Sequence, residues 1–201
     1  APGFFDVVAY SGTGSARTIS HNLGAVPSVV LVTSRNGTYS WYWQHYALGA
    51  NTWLQLNNDE GGATNGTLFN STLPTSSVFS VGGAAGNNGS GFNYVAYLFA
   101  DLDGISKAGT YTGTGNNINV DCGFSAGARF LIIKKHGTGN SDTGDWYVWD
   151  STRGIASGND PYFLMNTDDA EVTNTDYIDP LNAGFTVTSS APAALNASGV
   201  T

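Results

Sequence analysis

The chain is short of positive charge and of long apolar stretches. Its 201 residues contain only 7 Lys and Arg against 15 Asp and Glu, which leaves a formal net charge of −8. So few cations cannot neutralise a run of phosphates, and we therefore expect no nucleic-acid partner. No stretch approaches the roughly 18 consecutive apolar residues of a membrane-spanning helix. We therefore expect no membrane insertion either.

Cysteine is nearly absent. The one cysteine, Cys122, excludes an internal disulfide and a four-cysteine zinc site. Because it stands at the end of a strand-like run, we interpret it as a small buried side chain and not as a nucleophile.

Glycine and aromatic residues are plentiful instead. The chain has 27 Gly, 12% aromatic residues and only 11% charged residues. Its surface must therefore be polar but mostly uncharged. The aromatic side chains supply enough apolar area to order such a glycine-rich chain, so we expect it to fold.

An internal repeat organises the sequence. Tyr10 begins a Tyr-x-Gly-x-Gly turn that returns at Tyr111, 101 residues later. Further blocks follow in the same order at offsets that rise in small steps, as loop insertions in a duplicated unit produce. The matched segments are residues 10–14 with 111–115, 26–32 with 128–133, 41–43 with 146–148, 54–57 with 163–166, 79–81 with 185–187, and 88–91 with 196–199. We predict two repeat units, residues 1–104 and 105–201.

The second copy is shorter than the first. Its last two residues correspond to positions 92 and 93, so it has no counterpart of residues 94–100, the strongest predicted strand. Two explanations stay open at this point. Either the polypeptide continues beyond Thr201, or another chain supplies the missing strand.

Strand-like runs recur along the whole chain. They are rich in Val, Ile, Thr, Tyr, Phe and Trp and are separated by Gly, Asn, Ser and Thr turns. No window has a sustained helical period, so helices should be short or absent. We predict an all-β fold of duplicated antiparallel β-sandwich units, jelly-roll or concanavalin-like. The predicted strands are residues 5–10, 29–34, 40–46, 52–57, 77–81 and 93–100, then 109–112, 129–135, 145–150, 162–166 and 184–188.

Two further expectations concern burial. Residues 130–133 are apolar without alternation, which predicts a strand buried on both faces at the centre of a sandwich. Residues 58–67 and 82–91 contain so much glycine that we expect them on the rim.

Groupings typical of catalysis and metal binding are missing from the sequence. His21, His45 and His136 each lack a histidine counterpart in the other copy, and no Gly-x-Ser-x-Gly elbow surrounds a serine. We therefore expect no catalytic residues and no enzyme activity. The acidic run that starts at Asp168 has no glycine for the sharp turn of a calcium loop, so we interpret it as a solvated loop. We expect no metal and no cofactor.

The tryptophans are the best candidates for a binding surface. Trp41 aligns with Trp146, and a large aromatic at a repeated position is typical of a core. Trp43 and Trp149 have no indole at the equivalent position, so we interpret them as less suited to a shared core and better suited to stacking on sugars. The alternative, that these indoles are core residues, stays open. The predicted ligand-binding residues are Trp43, Trp149, His45 and Trp53.

Motifs at residues 10–14, 19–24, 41–49, 93–100, 144–147 and 195–199 carry a resemblance that covers nearly the whole chain. Through them the sequence resembles a family of bacteriophage tail-fibre proteins that contain a domain of unassigned function. The resemblance implies an extracellular virion appendage, usually homotrimeric, that contacts the host surface. It implies no catalytic residues.

Three functions are compatible with these features. The first is a phage tail-fibre or receptor-binding module that recognises host-surface glycan or protein, with itself and other virion proteins as partners. The second is a capsid-decorating or fibre-shaft protein whose contacts are purely structural. The third is a carbohydrate-active enzyme, which needs an acid pair that the sequence does not place.

Overall fold

The computed structural model describes residues 1–137 and 143–199. Within them the fold is all-β, as predicted, with antiparallel strands, two four-residue helices and one 3₁₀ turn at Tyr46–Leu48. No helix of these two ranges is long and apolar enough to cross a membrane. The elements are β1 (Phe5–Ser11), β2 (Arg17–Ser20), β3 (Val29–Ser34), β4 (Tyr42–His45), β5 (Thr52–Gln55), β6 (Ala63–Thr64), β7 (Val78–Val81), α1 (Ala85–Asn88), β8 (Asn93–Phe99), β9 (Ile118–Asp121), β10 (Phe130–Lys134), β11 (Trp146–Asp150), β12 (Phe163–Leu164), β13 (Ile178–Leu181), β14 (Gly184–Val187) and α2 (Ala193–Asn196).

The chain divides into two compact units. Unit 1 comprises Ala1–Leu56, Gly62–Leu102 and Ser106–Gly109, and unit 2 comprises Asn57–Gly61, Asp103–Ile105 and Thr110–Thr201. The main division therefore falls close to the predicted boundary after residue 104. The sequence did not predict that the segment at residues 57–61 belongs to the second unit.

Unit 1 is built on a six-stranded sheet in the order β1-β8-β3-β4-β5-β6. Alternate residues of its central strands, including Val30, Val32 and Leu98, are 0% exposed and form one side of the core. The two-stranded sheet β2-β7 contributes Phe79 and Val81 to the same core. Period-two alternation thus places one face of each strand inside.

Unit 2 contains two three-stranded sheets, β10-β11-β12 and β13-β14-β9. Leu131 and Trp149 from the first sheet and Ile178, Phe185 and Val187 from the second belong to one buried cluster. The predicted strand at residues 109–112 does not form.

The prediction of a strand buried on both faces at residues 130–133 is wrong. Burial along β10 alternates: Phe130 is 60% exposed, whereas Leu131 and Ile133 are 8% and 7% exposed. In the described part of the chain β10 pairs only with β11, so it is an edge strand. The doubly buried strand is β3, which lies between β8 and β4 in unit 1.

A buried asparagine fixes the short helix of unit 1. The Asn88 side chain is 0% exposed and accepts a hydrogen bond from the Thr13 N–H at 3.2 Å. Its amide nitrogen donates to the carbonyls of Ser15 and Gly82 at 2.7 and 2.6 Å. One side chain thereby joins the turn after β1 to the segment after β7.

Asn196 has the same role in unit 2. It is 3% exposed and accepts hydrogen bonds from the N–H groups of Thr114 and Gly115 at 3.0 and 3.2 Å. It donates to the carbonyls of Asn116 and Thr188 at 2.9 and 2.8 Å. The aligned blocks at residues 88–91 and 196–199 are therefore equivalent in three dimensions as well as in sequence.

The expectation that residues 82–91 lie on the rim is wrong. Gly86, Asn87 and Asn88 of α1 are buried. A Cβ on Gly12 would lie 2.0 Å from the carbonyl oxygen of Gly89, so glycine is needed where the turn after β1 meets the end of α1. The glycines in this segment allow close backbone packing and do not mark an exposed loop.

Candidate functional site

One end of the unit 1 sheet carries a groove of about 330 Å³. Segments from four parts of unit 1 form it: the residues just before β3, the turn after β4, the loop before β7 and the residue two positions after β8. Its lining, which we call the Tyr46 groove, consists of Val26, Pro27, Ser28, Tyr46, Leu73, Pro74 and Asp101.

The 3₁₀ turn after β4 holds Tyr46 in place. The His45 Nδ1 accepts a hydrogen bond from the Ala47 N–H at 3.2 Å, which caps the turn. The His45 ring stacks on the Tyr46 ring with centroids 5.3 Å apart and an interplanar angle of 18°. The Tyr46 N–H also donates to the Ser28 carbonyl at 3.0 Å. A well-positioned ring, 41% exposed, therefore forms one wall of the groove.

Asp101 supplies the negative charge of the groove. Its Oδ1 accepts hydrogen bonds from the Ser28 hydroxyl at 2.7 Å and from the Ala108 N–H at 3.0 Å, and its Oδ2 pairs with the Lys107 ammonium at 2.8 Å. Burial alone would raise the pKa of Asp101, but hydrogen bonds from Lys107, Ala108 and Ser28 outweigh it and hold the pKa below its usual value. The group is therefore an ionised acceptor at neutral pH and not a proton donor.

The remaining lining is apolar and partly open to solvent. Val26 is 54% exposed and Leu73 is 38% exposed. Apolar walls, one aromatic face and one oriented acceptor suit a ligand that has both a C–H surface and hydroxyl donors. A sugar ring has both.

The predicted binding residues do not form one site. His45 adjoins the groove through its stack on Tyr46. Trp43 lies opposite Leu31 and Leu54 and is half-buried on the outer face of the sheet. On that same face Trp41, which is 38% exposed, stacks on Tyr97 with centroids 6.1 Å apart. Trp146, the aligned residue of unit 2, is only 2% exposed. The two aligned tryptophans are therefore not both core residues, contrary to the expectation for a large aromatic at a repeated position.

Trp53 packs against the core of unit 1. Its ring meets Tyr42 edge-on at 5.4 Å, and its Nε1 donates to the Asn65 side chain at 3.3 Å. Trp53 is therefore mostly occupied by packing and by a local hydrogen bond.

Trp149 is a core residue, and the interpretation of it as a stacking platform is wrong. It is 0% exposed and stacks on Tyr147 at 5.8 Å. Its Nε1 donates to the backbone and side-chain oxygens of Asp160 at 3.2 and 3.1 Å. Trp149 and Gln44 occupy equivalent inward positions, because Trp149 pairs with Leu131 as Gln44 pairs with Val30.

Asp160 is a buried carboxylate that the sequence did not single out. Burial raises its pKa to about 6, although N–H donors of Tyr177, Ile178 and Trp149 oppose the shift. The carboxyl group thus joins the loop that carries Asp160 to Trp149 of β11 and to the start of β13 at Tyr177 and Ile178. Its role is structural, because the residue is 0% exposed and is surrounded by its own donors.

The family assignment rests on a match over almost the full sequence. The model of a domain of unknown function, DUF7483, matches residues 2–201. The chain belongs to the DUF7483 family. Because the matched range includes both units, the duplication is part of the DUF7483 domain itself. No curated protein and no solved structure is similar enough to match.

The sequence pattern of this DUF7483 chain did not identify Tyr46 and Asp101, which line the Tyr46 groove, as candidate binding residues. Tyr46 directly follows the predicted residue His45, and Asp101 follows the strongest predicted strand, so both occupy the ends of strands where binding residues often lie. No group of three or more His, Cys, Asp or Glu side chains that could hold a metal occurs within residues 1–137 and 143–199.

Proposed function

We propose that this DUF7483 chain is a binding module of a bacteriophage virion, a tail-fibre or receptor-binding part that holds host-surface carbohydrate in the Tyr46 groove. The observation that carries the proposal is the pairing of an oriented, exposed aromatic ring with a fixed ionised acceptor in one apolar groove. The resemblance to tail-fibre proteins supplies the biological setting. The proposal places the module outside the host cell, bound to itself as a trimer and to other virion proteins.

Binding without turnover agrees with the chemistry of the groove. Asp101 is held ionised, so it can accept hydrogen bonds from hydroxyl groups but cannot act as a general acid near neutral pH. The net charge of −8 favours a neutral or amino-bearing glycan over an acidic one.

The test is binding of the labelled full chain to intact bacteria and to an array of bacterial surface glycans. We expect saturable binding that Tyr46→Ala weakens about tenfold, because burying one aromatic face contributes about 1.5 kcal/mol. Asp101→Asn should weaken binding as well, since it replaces one acceptor oxygen with a donor.

The matched control is Tyr39→Ala in the same unit. Tyr39 follows the end of β3, whereas Ser28 of the groove precedes the start of β3, so the two lie beyond opposite ends of that strand. The Tyr39 ring packs on the Phe92 ring with centroids 5.2 Å apart. This variant should keep full affinity. If Tyr39→Ala and Tyr46→Ala weakened binding equally, that result would contradict the assignment of binding to the Tyr46 groove. A chain that binds neither cells nor glycans would favour the structural alternative of a fibre shaft or capsid decoration.

A further inference from the structure

Unit 1 contains all three Asn-Gly pairs of the sequence, and their surroundings differ. The pairs begin at Asn36, Asn65 and Asn88. In such a pair the backbone nitrogen of the glycine can attack the side-chain carbonyl carbon of the asparagine, because glycine has no Cβ to hinder the approach. Three conditions favour the attack in a folded chain: a free attacking nitrogen, a free leaving nitrogen, and donors around the oxygen that becomes negative.

The pair at Asn88 is protected from this reaction. The Asn88 side chain is 0% exposed, and its Nδ2, which would have to leave, donates to two carbonyls at 2.7 and 2.6 Å. The N–H of Gly89 donates to the Tyr94 hydroxyl at 2.8 Å, so the attacking nitrogen is also held. Both nitrogens of the reaction are therefore occupied.

The pair at Asn36 is intermediate. The Asn36 Oδ1 accepts one hydrogen bond, from the Asn93 N–H at 2.7 Å, and its Nδ2 donates to the Gly91 carbonyl at 3.5 Å. One donor therefore supports the oxygen, while the leaving nitrogen has an acceptor of its own.

The pair at Asn65 meets all three conditions. The residue is exposed, and its Oδ1 accepts hydrogen bonds from the Thr67 hydroxyl at 2.6 Å, the Thr67 N–H at 3.3 Å and the Trp53 Nε1 at 3.3 Å. No described residue accepts a hydrogen bond from the Asn65 Nδ2 or from the Gly66 N–H. A Cβ on Gly66 would overlap the Ser71 hydroxyl, so the fold itself requires glycine after Asn65.

We propose that Asn65 is a site of spontaneous covalent modification, at which water converts the side-chain amide to a carboxylate and ammonia is released. Hydroxide takes the proton of the Gly66 N–H, and the nitrogen forms a bond to the Asn65 Cγ while the three donors stabilise the negative Oδ1. The Cγ–Nδ2 bond then breaks, and Nδ2 takes a proton from water and leaves as ammonia, which restores the hydroxide. The resulting cyclic succinimide is opened by water at either carbonyl, giving aspartate or isoaspartate.

The modification changes the end of the unit 1 sheet. Both products add a negative charge directly after β6. Isoaspartate also inserts the side-chain methylene into the backbone, which moves the acceptor away from Trp53 and Thr67. The proposal is independent of the carbohydrate groove.

The test is peptide mapping by mass spectrometry after incubation of the full chain at mildly alkaline pH. The conversion rate at each Asn-Gly pair in the folded chain is divided by its rate in the chain unfolded in guanidinium chloride, which removes the effect of sequence neighbours. We expect this ratio to be at least about tenfold higher at Asn65 than at Asn36, and lowest at Asn88. A ratio at Asn65 that does not exceed the ratio at Asn36 would overturn the proposal.

Two variants of one exposed residue test the role of the strongest donor. Thr67→Val removes the hydroxyl and keeps the shape of the side chain, whereas Thr67→Ser keeps the hydroxyl. Thr67→Val should slow conversion at Asn65 about fivefold, as loss of one hydrogen bond predicts, and Thr67→Ser should retain the parent rate. The rate at Asn36 in the same molecules is the internal control. Equal rates at Asn65 in all three chains would overturn the proposal, since the contacts of Oδ1 would then not promote the reaction.

Discussion

The buried asparagine of unit 2 offers a sharp test of how the repeat is held together. Asn196→Ala removes a side chain that makes four hydrogen bonds, to Thr114, Gly115, Asn116 and Thr188. Each bond contributes about 1 kcal/mol, and the backbone groups left inside lose their partners without gaining water. We therefore expect the free energy of unfolding to fall by about 3–4 kcal/mol, a large part of the total stability of a small domain.

Urea unfolding measures the loss, and hydrogen-exchange mass spectrometry locates it. Exchange should accelerate in the turn at residues 113–116 and in α2, while the β3 and β8 amides of unit 1 stay protected. Asn88→Ala should produce the converse pattern, with a somewhat smaller loss because the Asn88 side chain makes three such bonds. The matched control is Asn182→Ala, since Asn182 is exposed, and its effect should stay within about 0.5 kcal/mol.

A loss below about 1 kcal/mol for Asn196→Ala would refute this account. The same conclusion would follow if Asn182→Ala were equally destabilising. Either result would mean that the aligned asparagines at positions 88 and 196 are equivalent in sequence without sharing a structural role.

Two further predictions concern the core of unit 2. Trp149→Ala should lower the free energy of unfolding by about 3–5 kcal/mol in urea titrations, whereas Trp41→Ala, at a ring that is 38% exposed, should cost less than about 1 kcal/mol; comparable losses would contradict the placement of Trp149 in the core. The folded-state pKa of Asp160, about 6, lies above its ordinary value of 3.8, so the folded protein holds this proton more tightly and the contribution of Asp160 to stability should decline as pH rises from about 4 to about 6. Melting temperatures over this range should show the decline in the parent chain and not in Asp160→Asn, and parallel pH profiles for the two proteins would contradict the shift.

Much of the fold was predictable because its strongest strands are strongly patterned. The predicted range for β3 matches the structure, and those for β1, β8, β10 and β11 differ only at their ends. β2, β6, β9 and β13 were missed. β9 and β13 combine few apolar residues with Asp, Asn or Pro, which are poor strand formers, and they form strands because they pair with β14.

The reverse error at residues 109–112 has a related cause. The repeat predicts a strand there because residues 10–13 belong to or follow β1. A strand needs a neighbour, however, and in unit 1 the neighbour of β1 is β8. No equivalent of β8 is present in the described part of unit 2. Local sequence therefore indicates the capacity to form a strand, and pairing decides whether it forms.

The candidate site was harder to predict than the fold. The rule that an unshared aromatic lies outside the core failed for Trp149, because the two units fill one inward position with different side chains. Tyr46 and Asp101 come from distant parts of the sequence and meet only because β4 and β8 both flank β3. Their proximity depends on strand order, which the sequence pattern alone does not contain.

The exchange of Gln44 for Trp149 also bears on how the two copies evolved after duplication. Both positions are buried, at 1% and 0% exposure, and both lie on the inner face of corresponding strands. Close-packed interiors do not tolerate so large a change of volume at one position without compensation around it. Each copy must therefore have acquired its own set of compensating neighbours, so that the two halves ceased to be interchangeable.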